Sequence, residues 1–206
     1  MKMRGFVQAG GGSTRFGADK ALAVIAGKTM LERTADLLST VCGAGNVKIV
    51  ASAERYPEVS VPVIEDRWPG EGPLGGILTA LLELSEKDAE NGWSLIVSCD
   101  MPFLTKEFLE FLADRARQSK AQVVVPASAD GLEPLCACWN SAAAEDLRRI
   151  FDSGVRRVSQ AMKQLPMEVL DEPQWKRFDN VQRLFWNMNT PADFAEARRI
   201  LESSER

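Results

Sequence analysis

A glycine-rich stretch near the N-terminus carries the groups best suited to binding phosphate. Three consecutive glycines, Gly10, Gly11 and Gly12, leave their backbone N–H groups open to an anion because they have no Cβ. Arg15 can donate two hydrogen bonds to phosphate oxygens, and Lys20 adds a compact positive charge. We interpret the stretch as a phosphate-binding loop. The alternative is a flexible turn whose two cations are only solvated.

Two common phosphate-loop patterns do not fit this stretch. A Walker A motif running from Gly12 to Gly17 requires lysine next, where the chain has Ala18. A dinucleotide fingerprint starting at Gly10 requires glycine where the chain has Arg15. A long loop after a buried first strand is usually functional, and this favours a phosphate loop of another type.

Asp100 comes shortly after the apolar run of residues 94–98, which predicts a carboxylate at the end of a strand. Mg²⁺ binds through one or two carboxylates plus substrate phosphates, so Asp100 beside a phosphate loop is a candidate metal ligand. The alternative is an aspartate that caps the helix starting near Thr105.

Asp66 precedes a second glycine-rich bend, residues 69–76, which leads into a predicted helix whose N-terminus attracts anions. Its carboxylate could also simply pair with Arg67 at the surface. Near the C-terminus, Asn187 and Asn189 alternate along an extended segment, which places both amides on one face. These amides could hold a phosphate-bearing acceptor, or could form the turn before Thr190.

The composition excludes several kinds of chemistry. The chain of 206 residues contains no histidine, which rules out Ser-His-Asp and Cys-His nucleophiles and zinc held by histidine. The formal charge is −4, which argues against a nucleic-acid partner. The four cysteines are expected to be reduced, and Cys136 and Cys138 to be small buried side chains and not zinc ligands. We find no signal peptide, and the longest apolar run, residues 21–26, is too short to span a membrane.

Short apolar runs alternate with longer amphipathic ones. The strand candidates are residues 5–8, 47–51, 61–64, 94–98, 122–125, 135–139 and 168–170. The helix candidates are residues 29–41, 75–85, 106–118, 142–151, 155–164 and 191–203. The pattern predicts an α/β fold, a single domain over residues 1–206, with one doubly wound, mostly parallel sheet and helices on both faces. Ligands of such sheets bind beyond the carboxyl ends of the strands, near a topological switch point.

Four ordered segments resemble the nucleotidyltransferases that activate a phosphorylated acceptor with a nucleoside triphosphate. The segments are Ala9-Gly10-Gly11-x-Ser13-x-Arg15-x-Gly17-x-Asp19-Lys20, Asp66-x-x-Pro69-Gly70-x-Gly72-Pro73-Leu74-x-Gly76-Ile77, Cys99-Asp100-Met101-Pro102-Phe103-Leu104 and Asn187-x-Asn189-Thr190-Pro191-x-Asp193. Within that superfamily the chain is most similar to the molybdenum cofactor guanylyltransferases, which implies a Rossmann-like nucleotidyltransferase fold.

The resemblance also implies an activity: transfer of GMP from GTP to the phosphate of molybdopterin or of the molybdenum cofactor, with release of pyrophosphate. It makes Arg15, Lys20 and Asp100 the catalytic residues, with Asp100 holding Mg²⁺ as cofactor. The implied nucleotide contacts are Gln8, Ala9, Gly10, Gly11, Gly12, Ser13, Lys20, Asp66, Gly72, Pro73, Leu74 and Asp100. In this resemblance the bend at residues 69–76 surrounds the guanosine, and Asp66 could contact the guanine base or the ribose. Asn187 and Asn189 would face the acceptor or the metal. GTP and molybdenum cofactor are the expected substrates, cofactor-delivery proteins or molybdoenzymes are candidate partners, and the expected location is cytoplasmic.

The first strand and the loop after it contain one position expected to select the base and two positions that depart from the family pattern. Guanylyl-transferring members of this superfamily have glycine at the position of Gly10 and cytidylyl-transferring members have alanine, so Gly10→Ala is expected to weaken use of GTP more than use of CTP. Gln8 and Phe16 stand where the family usually has an aliphatic residue and methionine. Gln8 could contact the nucleotide or bond to backbone.

Two further places could lie near a ligand. Glu133-Pro134-Leu135 could line the acceptor pocket, and Trp68 could lie near a ligand.

Three rival functions stay open at this point: cytidylyl transfer to the same cofactor, guanylyl transfer to a sugar phosphate, and a non-catalytic GTP- or cofactor-binding adaptor. Gly10 and the bend at residues 69–76 argue against the first. The chain length leaves little room for the extra domains of the second. Asp100, Lys20 and Asn189 disfavour the third.

Overall fold

The computed structural model describes residues 3–9, 19–52, 55–87 and 92–204, and a β-sheet forms its centre. The strands are β1 (Met3–Gln8), β2 (Val24–Ile25), β3 (Lys28–Thr29), β4 (Val47–Ala51), β5 (Val63–Glu65), β6 (Trp93–Ser98), β7 (Val123–Ser128), β8 (Gly131–Leu132), β9 (Cys136–Asn140) and β10 (Met167–Leu170). Strands of the main sheet follow the order β10–β7–β9–β6–β1–β4–β5, with β8 paired to β7, while β2 and β3 form a separate hairpin.

Strand directions make this sheet mostly parallel. β1 pairs in parallel with both β4 and β6, β4 with β5, and β7 with β10, whereas β9 runs antiparallel to β6 and β7. From β1 the chain winds to β4 and β5 on one side and then returns to β6 on the other. The topological switch point therefore lies between β1 and β6, where Gln8 pairs with Ser98.

Helices cover both faces of the sheet, as the sequence predicts. The α-helices are α1 (Met30–Cys42), α2 (Pro73–Lys87), α3 (Lys106–Gln118), α4 (Ala143–Asp152), α5 (Val158–Met162), α6 (Glu172–Trp175) and α7 (Pro191–Ser204), with 3₁₀ turns at Lys20–Leu22 and Lys176–Phe178. Because strand side chains alternate, neighbouring residues feed two different cores. Val7 joins the core under α1 and α3, while Phe6 joins the core under α2 and α4.

Cap residues fix where the helices near the carboxyl edge of the sheet begin. Thr29 and Glu32 form a reciprocal capping box at the start of α1. The Thr105 hydroxyl accepts a hydrogen bond from the Phe108 N–H at 3.2 Å at the start of α3. Thr190 and Asp193 bond each other reciprocally at the start of α7, at 2.8 and 3.2 Å, and so form a capping box.

A third apolar cluster packs the C-terminal helix, α7, against the small hairpin and the start of α1. Ile25 of the small hairpin, Met30 of α1 and Phe103 pack with Met188 and Ala197. Since Met188 is fully buried, the segment on either side of it is held beside the loop that follows β6. This cluster is what brings the C-terminal asparagines to the edge where β1 and β6 end.

The predicted fold class is confirmed, and several element boundaries differ. The predictions for residues 47–51 and 106–118 match β4 and α3. The predicted strand at residues 61–64 is β5 at Val63–Glu65 instead, and the predicted helix at residues 155–164 narrows to α5, after a left-handed Gly154 with φ 95°.

The short elements were not predicted: the β2–β3 hairpin, β8, α6 and the two 3₁₀ turns. The β2–β3 turn has positive φ at both Ala26 (49°) and Gly27 (77°). Such turns usually begin with asparagine or aspartate, so Ala-Gly gives little sequence signal.

The prediction that Cys136 and Cys138 are small buried side chains is confirmed. Cys136 and Cys138 are free, fully buried, and both pack in the core under α1 and α3. Within the described ranges no group of three or more aspartate, glutamate or cysteine side chains is placed to hold a metal ion, and no helix has the length and hydropathy needed to cross a membrane.

Candidate active site

Three side chains from distant parts of the chain meet at the switch point. The Lys20 Nζ atom donates to Asn189 Oδ1 at 2.8 Å and lies 3.5 Å from Asp100 Oδ2. Lys20 follows β1, Asp100 follows β6 and Asn189 precedes α7, so the contacts span 80 and 169 residues of sequence. The structure thus brings together one predicted catalytic cation, the predicted metal ligand and one predicted acceptor residue.

Asp100 is held in place by its own strand and by the C-terminal segment. The Ser98 hydroxyl donates to Asp100 Oδ1 at 2.7 Å, and the Met188 N–H donates to the Asp100 carbonyl at 2.9 Å. The alternative role as a helix cap is wrong, because Thr105 caps α3 itself. Asp100 therefore presents its second carboxylate oxygen towards Lys20.

This carboxylate passes a simple test as a Mg²⁺ ligand. Asp100 offers carboxylate oxygens, follows the carboxyl end of β6, and is only partly exposed. Mg²⁺ prefers octahedral oxygen ligation and fills most of its positions with water and substrate phosphates, so a single protein carboxylate is sufficient. The described residues fit an ion that substrate brings with it, and not a dedicated protein cage.

The neighbouring thiol contributes no reactive thiolate. Burial raises the pKa of Cys99 to about 12, and the carboxylates of Asp100 and Asp19 push it in the same direction. Cys99 therefore stays protonated and packs as a small apolar side chain in the core.

Lys20 sits on a short 3₁₀ turn that Asp19 caps. Asp19 Oδ1 accepts from the Ala21 N–H at 3.1 Å, and Asp19 Oδ2 accepts from the Tyr56 hydroxyl at 2.9 Å and from the Arg55 guanidinium. The sequence reasoning missed Arg55 and Tyr56. They lie 36 and 37 residues from Asp19, and no local spacing links them to it.

The predicted phosphate loop itself is outside the part of the chain that the structure describes. This applies to Gly10, Gly11, Gly12, Ser13 and Arg15. Their assigned roles stay predictions, whereas the two ends of the loop, at Ala9 and Asp19, can be placed.

Gln8 and Ala9 lead into that loop from β1. Ala9 is fully buried and its N–H donates to the Val50 carbonyl at 3.1 Å. The Gln8 amide donates through Nε2 to the Pro73 carbonyl at 3.2 Å, so the side chain bonds backbone, one of the two roles expected for it. Gly76 makes room for this amide, since a Cβ there would lie 2.4 Å from Gln8 Nε2.

Asp66 has a local structural role in the second glycine-rich bend. Its Oδ1 accepts from the Trp68 N–H at 3.0 Å and from the Thr79 hydroxyl at 3.2 Å, which ties the bend to α2. Gly70 and Gly72 adopt φ values of 86° and 79°, which favour glycine. The bend therefore delivers the N-terminus of α2 to the same edge of the sheet.

The remaining residues predicted for this bend differ in how much they expose. Gly72 and Pro73 are exposed at the start of α2, whereas Leu74 is fully buried and offers no side chain to solvent. Trp68 packs 5.3 Å from Phe151, and the Arg148 guanidinium lies 5.0 Å from a Trp68 ring centroid. Trp68 thus contributes to the packing of the bend against α4.

The two C-terminal asparagines have different partners. The Asn189 side chain accepts from Lys20, and its backbone N–H donates to Asp193 Oδ2 at 2.8 Å. This backbone bond, the largest influence, lowers the pKa of Asp193. Asn187 Nδ2 donates to the Phe185 carbonyl at 3.2 Å. Turn formation and contact with the site are therefore both present at Asn189, while the observed bond of Asn187 is local.

Glu133 lies on the neighbouring part of the edge and is buried. Burial raises the pKa of its carboxyl, although the Ser128 hydroxyl donates to it at 2.6 Å and acts in the opposite direction. Next to it, the Leu135 carbonyl accepts from the Ser98 N–H at 2.8 Å. Residues 133–135 are thus attached to the end of β6, two residues before Asp100.

Fold and site together define a doubly wound α/β protein with a cluster of charged and amide side chains at the carboxyl ends of its central strands. The chain belongs to the MobA-like NTP transferase domain family, whose model matches residues 5–167. This family assignment confirms the resemblance seen in the four sequence motifs.

Individual relatives agree over nearly the full length. A molybdenum cofactor guanylyltransferase from Rhodopseudomonas palustris is 33% identical over 197 residues, which covers 94% of this chain and 91% of the relative. The crystal structure of a molybdopterin-guanine dinucleotide biosynthesis protein A from Archaeoglobus fulgidus is 25% identical, with a TM-score of 0.80 over 98% of this chain and all of that one.

A more distant structure shares the fold. A CMP:2-keto-3-deoxy-manno-octonic acid synthetase complexed with CTP has a TM-score of 0.73 at 12% identity, over 99% of this chain and 100% of the other. At that identity the similarity concerns architecture alone.

Proposed function

We propose that this protein transfers GMP from GTP to the terminal phosphate of molybdopterin cofactor and releases pyrophosphate. The observation that carries the proposal is the meeting of Lys20, Asp100 and Asn189 at the switch point between β1 and β6. Two relatives align with this chain over nearly its full length, one named molybdenum cofactor guanylyltransferase and one named molybdopterin-guanine dinucleotide biosynthesis protein A, and their names support the choice of substrates.

The reaction is a single phosphoryl-group displacement. An oxygen of the acceptor phosphate forms a bond to the α-phosphorus of GTP, and the bond from that phosphorus to the bridging oxygen of the β-phosphate breaks. The electron pair leaves with pyrophosphate. Because the acceptor phosphate is already anionic at neutral pH, no side chain has to remove a proton, which is compatible with a chain that has no histidine.

Catalysis then consists of positioning and charge neutralisation. In this proposal the backbone amides of residues 10–12, Arg15 and Lys20 bind the triphosphate and stabilise the departing pyrophosphate. Asp100 would hold Mg²⁺, which supplies charge neutralisation at the α-phosphate. The Ser98 hydroxyl keeps the Asp100 carboxylate oriented, because it donates to the oxygen that does not face Lys20.

The acceptor would lie on the side of the C-terminal segment. Asn189 reaches the site through its contact with Lys20, and Asn187 lies two residues earlier in the same extended segment. Uncharged amides can donate to a phosphate without competing with Asp100 for the metal. We propose that the bend at residues 66–74, Gly10 and the loop after β1 surround the guanosine, and that the protein acts in the cytoplasm.

The decisive experiment offers the purified protein a choice of nucleotides. The protein is incubated with molybdopterin-type acceptor, Mg²⁺ and each of the four nucleoside triphosphates, and pyrophosphate and the dinucleotide product are measured. We expect product with GTP and none after chelation of the metal. Product with CTP alone would identify a cytidylyltransferase, and product only with a sugar phosphate acceptor would identify the other transferase class. GTP binding without any transfer would leave the adaptor as the function.

A further inference from the structure

Among the residues that the structure describes, Asp19 accepts hydrogen bonds from three donors, and Lys20, its neighbour in sequence, connects it to the site. Its Oδ1 accepts from the Ala21 N–H, while its Oδ2 accepts from the Tyr56 hydroxyl at 2.9 Å and from the Arg55 guanidinium. Two of these donors come from the loop after β4, on a different strand of the sheet. Asp19 is thus the point at which that loop is tied to the 3₁₀ turn that carries Lys20.

The burial, backbone conformation and pKa of Tyr56 all favour its hydrogen bond to Asp19. It is the single tyrosine of the chain, it is 7% exposed, and its ring packs in the same core as Ala21 and Cys99. Its backbone adopts a φ of 63°, a left-handed conformation that is strained for an aromatic residue and persists only where surroundings impose it. Burial, followed by the neighbouring Asp19, raises the pKa of Tyr56, so the hydroxyl keeps its proton and acts as a donor.

The hydrogen bonds that hold Asp19 also restrain Lys20, because Asp19 caps the 3₁₀ turn that begins at Lys20. Asp19 caps Lys20–Leu22, and the Leu22 N–H donates to the Asp19 carbonyl while the Ala23 N–H donates to the Lys20 carbonyl, both at 3.1 Å. The backbone of Lys20 is therefore fixed on both sides. From this fixed backbone the side chain extends to Asn189 and Asp100.

We propose that Tyr56 is a positioning residue for Lys20. Its hydroxyl, together with Arg55, immobilises Asp19, and Asp19 fixes the turn from which the Lys20 ammonium meets the triphosphate. This inference deepens the proposed function and rests on it. Tyr56 touches no reacting group and acts only through Asp19 and Lys20.

A second cluster of the same chemistry supplies the matched control. Glu168 accepts from the Ser119 hydroxyl at 2.6 Å and from the Arg115 guanidinium, as Asp19 does from Tyr56 and Arg55. Ser119 follows the end of α3 and Glu168 is the second residue of β10, so this cluster lies at the amino edge of the sheet. Removing either hydroxyl leaves a carboxylate with its arginine, but only one of the two carboxylates leads to Lys20.

The test is a double-mutant cycle between Tyr56→Phe and Lys20→Met. For each protein kcat and KM for GTP are measured in the transfer reaction, and the Kd of inorganic tripolyphosphate is measured by calorimetry. We expect Tyr56→Phe alone to lower kcat/KM for GTP by about tenfold, the effect of one hydrogen bond to a charged group, with KM for the acceptor unchanged. In the Lys20→Met background the same change should have no further effect, since Tyr56 acts only through that ammonium.

The control variant Ser119→Ala should leave kcat, KM and the tripolyphosphate Kd at wild-type values. Additive losses in the Tyr56→Phe, Lys20→Met double variant, or an equal loss of GTP use in Ser119→Ala, would overturn the proposal and make Tyr56 a general stability residue. If Tyr56→Phe does not fold, Arg55→Met takes its place in the cycle with the same expected outcome.

Failure of the proposed function is distinguishable from failure of this inference. A wild-type protein that binds tripolyphosphate but transfers no GMP contradicts the proposed function alone, and the cycle is then decided on the tripolyphosphate Kd. A wild-type protein that binds no tripolyphosphate contradicts the inference, because Lys20 would then have no polyphosphate to meet.

Discussion

The amino edge and the carboxyl edge of the central sheet each contain a carboxylate that accepts hydrogen bonds from a hydroxyl group and an arginine, but the two clusters have different roles. At the amino edge, Glu168 with Ser119 and Arg115 joins the end of α3 to β10, and within the described residues Glu168 forms no ion pair besides the one with Arg115. At the carboxyl edge, the equivalent carboxylate of Asp19 lies next in sequence to Lys20, which meets Asp100 and Asn189. The local interaction is alike, so its consequence depends on position relative to the strand ends.

Topology explains why the charged groups that matter accumulate at one edge. Parallel strands end together, so β1, β4 and β6 end at the same crevice even though they are far apart in sequence. Mutations that remove one charge at each edge should therefore differ in kind. At the amino edge they change the free energy of unfolding, and at the carboxyl edge they change the reaction.

The largest effect is expected at Asp100. Asp100→Asn keeps the shape of the side chain and removes the charge that would hold Mg²⁺, so kcat should fall by roughly a thousandfold or more while the fold survives. Pyrophosphate release and far-UV circular dichroism measure the two. Asp114→Asn, which removes an exposed carboxylate of α3, is the control and should retain full activity. Near wild-type turnover in Asp100→Asn would exclude the metal role.

The second largest effect is expected at Lys20. Lys20→Met retains the length of the side chain and removes the ammonium, so kcat/KM for GTP should fall by about a hundredfold through lost stabilisation of pyrophosphate. The exchange of labelled pyrophosphate into GTP isolates this step. Unchanged exchange kinetics in the variant would contradict the assigned role of Lys20.

A smaller and differently directed effect is expected at Asn189. Asn189→Ala removes a neutral hydrogen-bonding group facing the site, and KM for the acceptor should rise by about two- to tenfold. Steady-state kinetics with acceptor varied at saturating GTP will measure it. The parallel variant Asn187→Ala tests whether the local bond of Asn187 to Phe185 is its whole role, in which case KM for the acceptor does not change.

At the amino edge the expected effect is on stability alone. Burial pushes the pKa of Glu168 up, but the bonds from Ser119 and Arg115 prevail and lower it, so folding favours the charged form. This stabilisation is present above the ordinary glutamate pKa and is lost as the pH falls through the lowered pKa of the folded protein. Glu168→Gln should therefore lower the free energy of unfolding by about 1 kcal/mol at neutral pH.

Urea unfolding of Glu168→Gln and wild type at neutral pH and at about pH 3 tests that sign, since the gap between them should shrink in acid. GMP transfer at neutral pH should be the same in both. A loss of transfer in this variant would break the distinction between the two edges.

The smallest effect concerns the packing of Gln8 on α2. Gly76→Ala adds helix propensity of about 1 kcal/mol but places a Cβ against the Gln8 amide, so the two effects should nearly cancel in thermal unfolding. In a Gln8→Ala background the same change should be stabilising, because the obstruction is gone. Unchanged KM for GTP in Gln8→Ala would assign Gln8 to structure and not to nucleotide binding.

Much of the fold could be predicted because its signals are local. Phe108, Leu109, Leu112 and Ala116 recur at helical spacing, and all four are fully buried in α3. The Thr190–Asp193 capping box could likewise be read from spacing. The β2–β3 hairpin could not, because its Ala-Gly turn lacks the usual residue for a left-handed first position.

The candidate site divides in the same way. Residue types by themselves determined that chemistry here uses carboxylates, cations and amides, because the chain has no histidine, and they singled out Lys20, Asp100 and Asn189. Tertiary structure alone decided that these three side chains meet, that Asp66 bonds Thr79, that Gln8 bonds the Pro73 carbonyl, and that Tyr56 holds Asp19. The physical reason is that hydrogen bonds between groups 36 to 169 residues apart depend on strand order and register, which leave no mark in local spacing.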